Sequence, residues 1–319
     1  MTETLLLLVP IAAEHKALLL ERFRVIDAPD AASRAAALAV HANDIHLVLT
    51  NGSVGFTAAE IAVCPNLKLL AAQGAGYENL DVAAAQARGV PVCNGAGTND
   101  NCVADHALAL LLASVRALPR QGAALRAGVW RDALPLYPDF GGRRLGVIGL
   151  GGIGRKIASR AAAFGMVIGY HNRRPREDAG GAAYFDSVPA LARWADDLVV
   201  ATPGGGSTRH IVNAEVLAAL GAGGHVVNIA RGSCVDTVAL AEALKAGQIA
   251  GAALDVYESE PQPPTELLGL DNVILTPHVA GWSPQSIRAT VENFIANVDA
   301  LRRGAAHAGL RPLTGAWFR

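Results

Sequence analysis

The sequence has no excess of either charge. It holds 27 lysines and arginines against 28 aspartates and glutamates, for a formal net charge of −1. Binding to nucleic acid or to an anionic membrane surface requires basic side chains clustered on one face. The charge balance therefore argues against both partners and favours a small molecule.

Cysteine is scarce, and the four residues show no CxxC pair and no histidine at the spacing of a metal site: Cys64, Cys93, Cys102 and Cys234. This usage is typical of reduced thiols in a cytosolic protein, most simply as small buried side chains. We therefore expect no bound metal. Cys234 lies three residues beyond an arginine discussed below, but no general base stands near it in sequence, so it is not a candidate nucleophile.

Long apolar runs are also absent. The longest ones, such as residues 107–115, fall well short of the roughly 18 residues needed to suggest a membrane span. The N-terminal run follows Glu3 and lacks the charged start of a secretory signal, so it is interpreted as a first buried strand. We expect a cytoplasmic protein.

Glycine, in contrast, is abundant, with 34 residues. At mid-chain, the apolar run 145–148 leads into a GxGxxG motif, and a helix is predicted over residues 155–164. In such a motif the glycines allow a tight turn, a close backbone approach to a pyrophosphate, and tight packing of helix on strand. The motif predicts a dinucleotide site that includes Gly149, Gly151, Gly152, Ile153 and Gly154.

Because this motif begins only at mid-chain, something folded must precede it. The first part of the chain alternates short apolar runs with helical patterns, which is typical of a βαβ arrangement. We predict an α/β protein of two Rossmann-like domains, each a parallel sheet flanked by helices, with the active site in the cleft between them. The substrate domain would be discontinuous, 1–98 plus 286–319, and the dinucleotide domain would span 99–285.

A long helix is predicted over residues 102–118, ended by Pro119 and crossing between the domains. Apolar residues nearly surround it, which implies burial on several sides. It is a candidate dimer face, and we expect a homodimer, although burial within one protomer would explain the pattern nearly as well.

Three polar segments follow successive predicted strands of the second half, and they carry Arg231, Glu260 and His278. The carboxyl ends of parallel strands line one crevice, so the three side chains could converge there. Each has an ordinary explanation when taken alone: a surface ion pair, a solvated loop charge, and a capping or core histidine.

In order along the chain, the mid-chain GLGGIG and the segments NIARG (228–232), LDVYESEP (254–261) and TPHVAG (276–281) resemble those of the D-isomer-specific 2-hydroxyacid dehydrogenase family. Segment 74–81 resembles the family's substrate loop. The resemblance covers essentially the whole chain. It implies that Arg231 binds the carboxylate and carbonyl of a 2-oxo acid, that His278 is the acid/base, and that Glu260 is its carboxylate partner.

The chemistry of these residues agrees with that reading. Reduction of a 2-oxo acid requires a hydride at carbon and a proton at the carbonyl oxygen, which a protonated His278 can donate. Glu260 would favour the imidazolium, and the planar fork of Arg231 matches a carboxylate.

Further site residues are expected around this set. Asp255 would face the nicotinamide amide or support the histidine, and Thr202, Pro203 and Ala230 would line the cofactor site. Backbone amides of Ala75 and Gly76 would hold the substrate carboxylate. Candidates for closing the substrate pocket are Trp282, for which a core position is an equal alternative, and Val54 and Gly55.

Cofactor choice depends on the end of the second strand of the dinucleotide domain. Asn172 stands where NAD-dependent members of the family carry an acid, and Arg173 and Arg174 follow it. Loss of the acid removes repulsion of a 2′-phosphate, and the arginines could pair with that phosphate. We therefore expect NADPH to be preferred over NADH; the alternative is that the arginines are solvated loop charges.

Together these features predict a reductase that converts small 2-oxo acids (glyoxylate, hydroxypyruvate, with pyruvate as a further candidate) to D-2-hydroxy acids with NADPH, His278 being the proton donor. Two alternatives stay open. One is an NAD-dependent phosphoglycerate-type dehydrogenase; the other, from a different class, is a dinucleotide-sensing scaffold similar to the family's transcriptional corepressors.

Overall fold

Residues 2–303 are described by a computed structural model, in which the chain divides into two units. The first holds the chain up to Asn99 together with the chain from Gly281 onward, and the second holds Asp100–Ala280. The sequence predicts boundaries after residues 98 and 285, close to those after Asn99 and Ala280. The part of the predicted first domain beyond residue 303 lies outside the described residues.

The strands are β1 Thr4–Leu7, β2 Arg24–Asp27, β3 Ile45–Asn51, β4 Leu69–Gln73, β5 Val92–Asn94, β6 Arg144–Ile148, β7 Val167–His171, β8 Ala183–Phe185, β9 Asp197–Val200, β10 His225–Asn228, β11 Gly251–Leu254 and β12 Val273–Leu275. The helices are α1 Ala13–Leu20, α2 Ala31–His41, α3 Ala58–Val63, α4 Val82–Ala87, α5 Asp100–Val115, α6 Leu118–Arg126, α7 Gly152–Ala163, α8 Val188–Trp194, α9 Ala214–Leu220, α10 Thr237–Lys245 and α11 Pro284–Arg302.

The first unit is a five-stranded parallel sheet in the order β2-β1-β3-β4-β5. Leu5 and Leu7 point into a core with α1 and α11, whereas Leu6 and Leu8 point into a second core with α2, α3 and α4. Because successive side chains of a strand face opposite ways, an unbroken leucine run is what a sheet covered on both faces requires.

The second unit is a seven-stranded parallel sheet in the order β12-β11-β10-β9-β6-β7-β8. Helices α8, α9 and α10 cover one face, and α5 and α7 cover the other. The strand order reverses between β6 and β9, which is the switch point at which doubly wound sheets bind their ligands. The predicted α/β class with two parallel sheets is confirmed.

The long helix differs from its prediction in two ways. Helix α5 ends at Val115, and Pro119 lies in the first turn of the next helix, α6, where its missing N–H costs no hydrogen bond. In addition, α5 lies wholly in the second unit and does not cross between units. Its apolar residues pack into the core beside β6 and α7, so burial within the protomer explains the pattern that suggested a dimer face.

Within residues 2–303, no single helix is long and apolar enough to cross a membrane. Helices α5 and α6 have the length and composition for it only as a pair, bent by 57° at their junction.

Candidate active site

The glycine motif forms the turn between β6 and α7. Gly149 has a φ of 101°, and a Cβ there would lie 2.8 Å from the carbonyl carbon of Ala201 and from the amide nitrogen of Thr202. A Cβ on Gly154 would overlap the carbonyl oxygen of Gly149. These two glycines therefore allow the tight turn and the close packing of α7 that the motif predicts.

Gly151 differs from the other two, because a Cβ there would meet nothing within 4 Å. It is the N-cap residue of α7, whose first amides receive no side-chain cap. Uncapped helix N-termini with open space in front of them suit a phosphate group. The turn therefore fits a dinucleotide pyrophosphate. Gly152 and Ile153 belong to α7 itself, which begins three residues earlier than the predicted position 155.

The neighbouring strand end brings Thr202 and Pro203 to the same switch point. Both follow β9, and Thr202 lies against the turn, since a Cβ on Gly149 would be 2.8 Å from its amide nitrogen. Ala230 follows β10, is buried, and donates its amide to Oδ1 of Asn228 at 3.1 Å. All three residues are thus at the carboxyl edge of the sheet.

Asn172 follows β7 and reaches back to the glycine turn, where its Oδ1 accepts a hydrogen bond from the amide of Leu150 at 2.7 Å. Arg173 and Arg174 are exposed, and neither has a hydrogen bond or an ion pair with another described residue. The nearby Arg155 and Arg176 are both paired with Asp178. Among the described residues, the two arginines predicted to bind a 2′-phosphate therefore have no carboxylate partner, whereas Arg155 and Arg176 share one.

Arg231, Glu260 and His278 follow the adjacent strands β10, β11 and β12. Nδ1 of His278 donates to Oε2 of Glu260 at 2.9 Å, and the other carboxylate oxygen of Glu260 accepts the amide of Tyr257 at 2.8 Å. Since Nδ1 faces Glu260, Nε2 is the ring nitrogen left for a substrate, and no other described residue bonds to it.

The pKa values of this pair are pushed apart. The hydrogen bond to Glu260 raises the pKa of His278 above 6.5, against burial and the charge of Arg231, which lower it. Burial raises the pKa of the Glu260 carboxyl, but the bonds from His278 and the Tyr257 amide outweigh burial and hold it below its usual range. The imidazole therefore keeps its proton to a higher pH than a free histidine does, beside a carboxylate that ionises more readily than usual.

Arg231 lies within electrostatic range of both partners, since its charge lowers the pKa of each of them. Its Nη1 donates to the carbonyl of Ala230 at 2.6 Å, and its own carbonyl accepts Nδ2 of Asn228 at 2.9 Å. The next residue, Gly232, has no room for a side chain, because a Cβ there would overlap the backbone of Tyr257. The arginine is thus placed by close packing of two strand-end loops.

Asp255 supports the histidine loop. Its side chain is 1% exposed and accepts the amides of Val279 and Ala280 at 2.9 and 2.8 Å, as well as the hydroxyl of Thr276 at 2.6 Å. Two roles are expected for Asp255, facing the nicotinamide amide or supporting the histidine, and these contacts fit the second role.

Sequence reasoning missed His106, on α5. Because the Thr276 hydroxyl donates its hydrogen to Asp255, its oxygen accepts Nε2 of His106 at 3.1 Å. Thr276 itself stands two residues before His278, which was the available signal; nothing local in the sequence marks His106.

In the first unit, the two loops predicted to bind substrate lie side by side. A Cβ on Gly52 would come within 2.6 Å of the carbonyl carbon of Gly76, and the Asn94 side chain donates to the carbonyl of Ala75 at 2.9 Å. Val54 is 39% exposed. Gly55 is buried against Asn79, so it serves the packing of the two loops.

Trp282 was expected in the dinucleotide domain but belongs to the first unit. Its side chain is 59% exposed, which is against the alternative of a core tryptophan. Among the described residues, no hydrogen bond or ring contact links it to Val54 or Gly55.

The described residues contain no cluster of three or more His, Cys, Asp or Glu side chains that could hold a metal ion. Cys64, Cys93 and Cys234 are buried, and Cys102 is half-buried. Burial raises the pKa of Cys64 to about 11 and that of Cys93 to about 12, so both remain thiols at neutral pH.

By its fold and by the chemistry at this edge, the second unit is a dinucleotide-dependent oxidoreductase domain. Residues 108–280 match the family model described as D-isomer specific 2-hydroxyacid dehydrogenase, NAD binding domain. The chain belongs to the D-isomer-specific 2-hydroxyacid dehydrogenase family.

Similar proteins cover most of the chain. Glyoxylate/hydroxypyruvate reductase A HPR2 of Arabidopsis thaliana is 37% identical over 92% of this chain and 94% of its own. The solved structure of an NADPH-dependent glyoxylate/hydroxypyruvate reductase from Sinorhizobium meliloti, in complex with NADP and malonate, has 38% identity and a TM-score of 0.89, over 100% of this chain and 99% of its own. D-3-phosphoglycerate dehydrogenase of Methanocaldococcus jannaschii is 36% identical over 82% of this chain and 50% of its own length.

Proposed function

We propose that this protein reduces small 2-oxo acids, with glyoxylate and hydroxypyruvate foremost, to D-2-hydroxy acids, and that it prefers NADPH to NADH. The observation that carries the proposal is the His278–Glu260 pair, joined at 2.9 Å, with Arg231 in electrostatic range at the carboxyl edge of the sheet. Relatives named glyoxylate/hydroxypyruvate reductase support the same substrate class.

The residues divide the work of the reaction. Arg231 binds the substrate carboxylate and polarises the adjacent carbonyl, because a planar guanidinium matches both oxygens. Nε2 of His278 donates a proton to the carbonyl oxygen as negative charge develops there, and Glu260 keeps the ring protonated and oriented. The bound nicotinamide supplies the hydride.

The dinucleotide would be held by the turn of β6 and α7. Gly151 and the uncapped amides of α7 suit the pyrophosphate, and Asn172, which bonds to the amide of Leu150 in this turn, would face the adenosine ribose without a carboxylate charge. Arg173 and Arg174, uncommitted within the described residues, are available to a 2′-phosphate. These features support NADPH.

The experiment measures the loss of reduced-nicotinamide absorbance with glyoxylate, hydroxypyruvate and pyruvate, each with NADPH and with NADH. We expect fast oxidation of NADPH and slower oxidation of NADH. A double variant Arg173→Ala/Arg174→Ala should lose about tenfold to a hundredfold in kcat/KM with NADPH, the equivalent of one charge-assisted hydrogen bond, and little with NADH.

Asn172→Asp is a matched variant, because an aspartate oxygen can accept the same Leu150 amide while adding the charge that repels a 2′-phosphate. It should shift the preference toward NADH. Equal use of both cofactors by the wild-type enzyme would contradict the NADPH preference and leave the reductase standing. Absence of turnover with every 2-oxo acid, with NADPH still bound, would favour the scaffold; activity on 3-phosphoglycerate with NAD would favour the phosphoglycerate-type dehydrogenase.

A further inference from the structure

A second histidine–carboxylate pair takes its carboxylate from the same loop as the first. Nε2 of His210 donates to Oε1 of Glu258 at 2.8 Å, and Nδ1 of His210 lies 3.6 Å from Oδ2 of Asp236. His210 belongs to the connection that follows β9, and Glu258 to the one that follows β11. The pair therefore spans the connection between them, which follows β10 and carries Arg231.

This middle connection is held on the side of His210 by backbone hydrogen bonds. The amide of His210 donates to the carbonyl of Ser233 at 2.8 Å, and Val212 exchanges two bonds with the same segment, donating to Cys234 and accepting from Asp236, each at 3.0 Å. His210 adopts a left-handed φ of 49°, which non-glycine residues adopt only where surrounding contacts fix them.

On its other side the middle connection presses against the loop of Glu258. Gly232 leaves no space between itself and the backbone of Tyr257 and Glu258. The second oxygen of Glu258 accepts the hydroxyl and amide of Thr237, at 2.9 and 3.2 Å, at the start of α10. The same loop carries Glu260, whose carboxylate accepts the amide of Tyr257.

We propose that His210 and Glu258 are positioning residues for substrate binding, which close a clamp across residues 231–236 and so hold Arg231 at its working distance from Glu260 and His278. The inference rests on the proposed role of Arg231. It adds a residue from the β9 connection, which also carries Thr202 and Pro203, to the machinery that orients the substrate carboxylate.

The energetics separate this role from a purely structural one. The two side chains are 30% and 26% exposed, and partly exposed ion pairs contribute little to stability. A displacement of about 1 Å in a group that orients a substrate, in contrast, can cost about a hundredfold in rate. Breaking the clamp should therefore weaken substrate binding far more than it lowers the melting temperature.

The test uses oxalate, a dicarboxylate that presents the planar oxygens of a 2-oxo acid and cannot be reduced by the enzyme. Its dissociation constant is measured by calorimetry on the full-length protein saturated with NADPH, together with the dissociation constant of NADPH and the KM and kcat for glyoxylate. The variants are His210→Asn, which tolerates the left-handed backbone but lacks the reach of the imidazole, and Glu258→Ala. Asp196→Asn, in an exposed ion pair with Arg144 at the opposite edge of the sheet, is the control.

We expect both variants to weaken oxalate and to raise the KM for glyoxylate by about tenfold, while NADPH binding and the melting temperature stay at the values of Asp196→Asn. In an Arg231→Ala background, His210→Asn should add no further loss, because it acts through that arginine.

Two failures are distinguishable. If Arg231→Ala itself leaves oxalate binding unchanged, the proposed role of Arg231 is wrong. If Arg231→Ala weakens oxalate but His210→Asn and Glu258→Ala do not, the clamp is wrong. A full additional loss in the Arg231→Ala background, or a joint loss of oxalate binding, NADPH binding and melting temperature, would likewise overturn it.

Discussion

His278 has a left-handed backbone, with a φ of 54°. Its amide bonds to the carbonyls of Asp255 and Thr276, and the Asp255 carboxylate binds the next two amides. A conformation of this kind costs free energy unless its surroundings over-determine it. Asp255 supplies that determination, so the ring is presented to Glu260 by a fixed backbone.

The pH dependence of the reaction should follow from this pair. Reduction requires the protonated form of His278, so the rate should fall as pH rises through the pKa of His278, which Glu260 raises. Glu260→Gln keeps a hydrogen-bond acceptor but removes the charge, so the pKa of His278 should fall and the alkaline limb of kcat/KM should move to lower pH. At a fixed alkaline pH the loss in kcat/KM should be about tenfold or more.

Glu266→Gln is the control for that measurement, since Glu266 is an exposed glutamate in the connection between β11 and β12 and bonds only to Thr265 among the described residues. It should leave the pH profile where it is. A Glu260→Gln profile that superimposes on the wild-type profile would show that another group sets the alkaline limb.

At the scale of elements, the strands and the glycine turn were predictable because their signals are local. The sequence pattern predicts a helix near residues 31–41 and a strand over residues 273–275, and these are the bounds of α2 and β12. The unbroken apolar runs are what a sheet covered on both faces requires. The prediction that Pro119 ends the long helix is wrong, because proline is found both after the end of a helix and in its first turn. The sequence around Pro119 does not tell these two positions apart. Strand β8 has three residues, two of them exposed, too few for an apolar pattern.

The candidate site was predictable only where a motif or a strand end marks it. Arg231, Glu260 and His278 each follow a strand, so the order of strands in a parallel sheet places them together. The remaining contacts join residues that are distant in sequence, as His106 with Thr276 and His210 with Glu258. In the second pair, 48 positions separate the two residues. No local pattern encodes such a pairing.

The turn of β6 and α7 permits a sharp test of two glycines with different surroundings. Gly154→Ala places a Cβ against the backbone carbonyl of Gly149, so it should destabilise the protein by about 1–3 kcal/mol and weaken NADPH binding. Gly151→Ala meets open space, so it should fold with wild-type stability and still weaken NADPH binding, because the methyl group would fill the space proposed for the phosphate. Melting temperature and NADPH fluorescence titration measure the two effects.

Gly269→Ala, also in open space but outside the turn, serves as the control and should change neither quantity. Wild-type NADPH affinity in Gly151→Ala would remove this turn from the dinucleotide site. Wild-type stability in Gly154→Ala would contradict the first expectation, because it would mean that the start of α7 can move away from Gly149 without a loss of folding free energy.

At the scale of the whole molecule, the sheet of the second unit separates stability from chemistry. The site residues follow the carboxyl ends of the strands, whereas a buried ion pair lies at the amino ends. Asp197, fully buried at the start of β9, accepts Nε and Nη2 of Arg143 at 2.8 and 2.7 Å. Burial lowers the pKa of the neighbouring His225 to about 4, so this histidine is neutral at pH 7. It therefore carries no charge that could replace either partner of the Arg143–Asp197 ion pair.

Asp197→Asn should therefore destabilise the protein without altering its chemistry. Arg143 keeps its charge in a largely buried place, loses its ion-pair partner and retains only the weaker attraction of Asp196, so the expected loss is about 3–5 kcal/mol in the free energy of unfolding by urea. Because the change lies at the opposite edge from Arg231 and His278, kcat and KM of the folded protein should stay at wild-type values.

Asp196→Asn, in the exposed pair with Arg144, should cost less than about 1 kcal/mol. A loss no larger than this control, or a changed KM in a fully folded sample, would refute the separation, whereas Arg143→Met/Asp197→Leu, which removes both charges, should recover much of the loss.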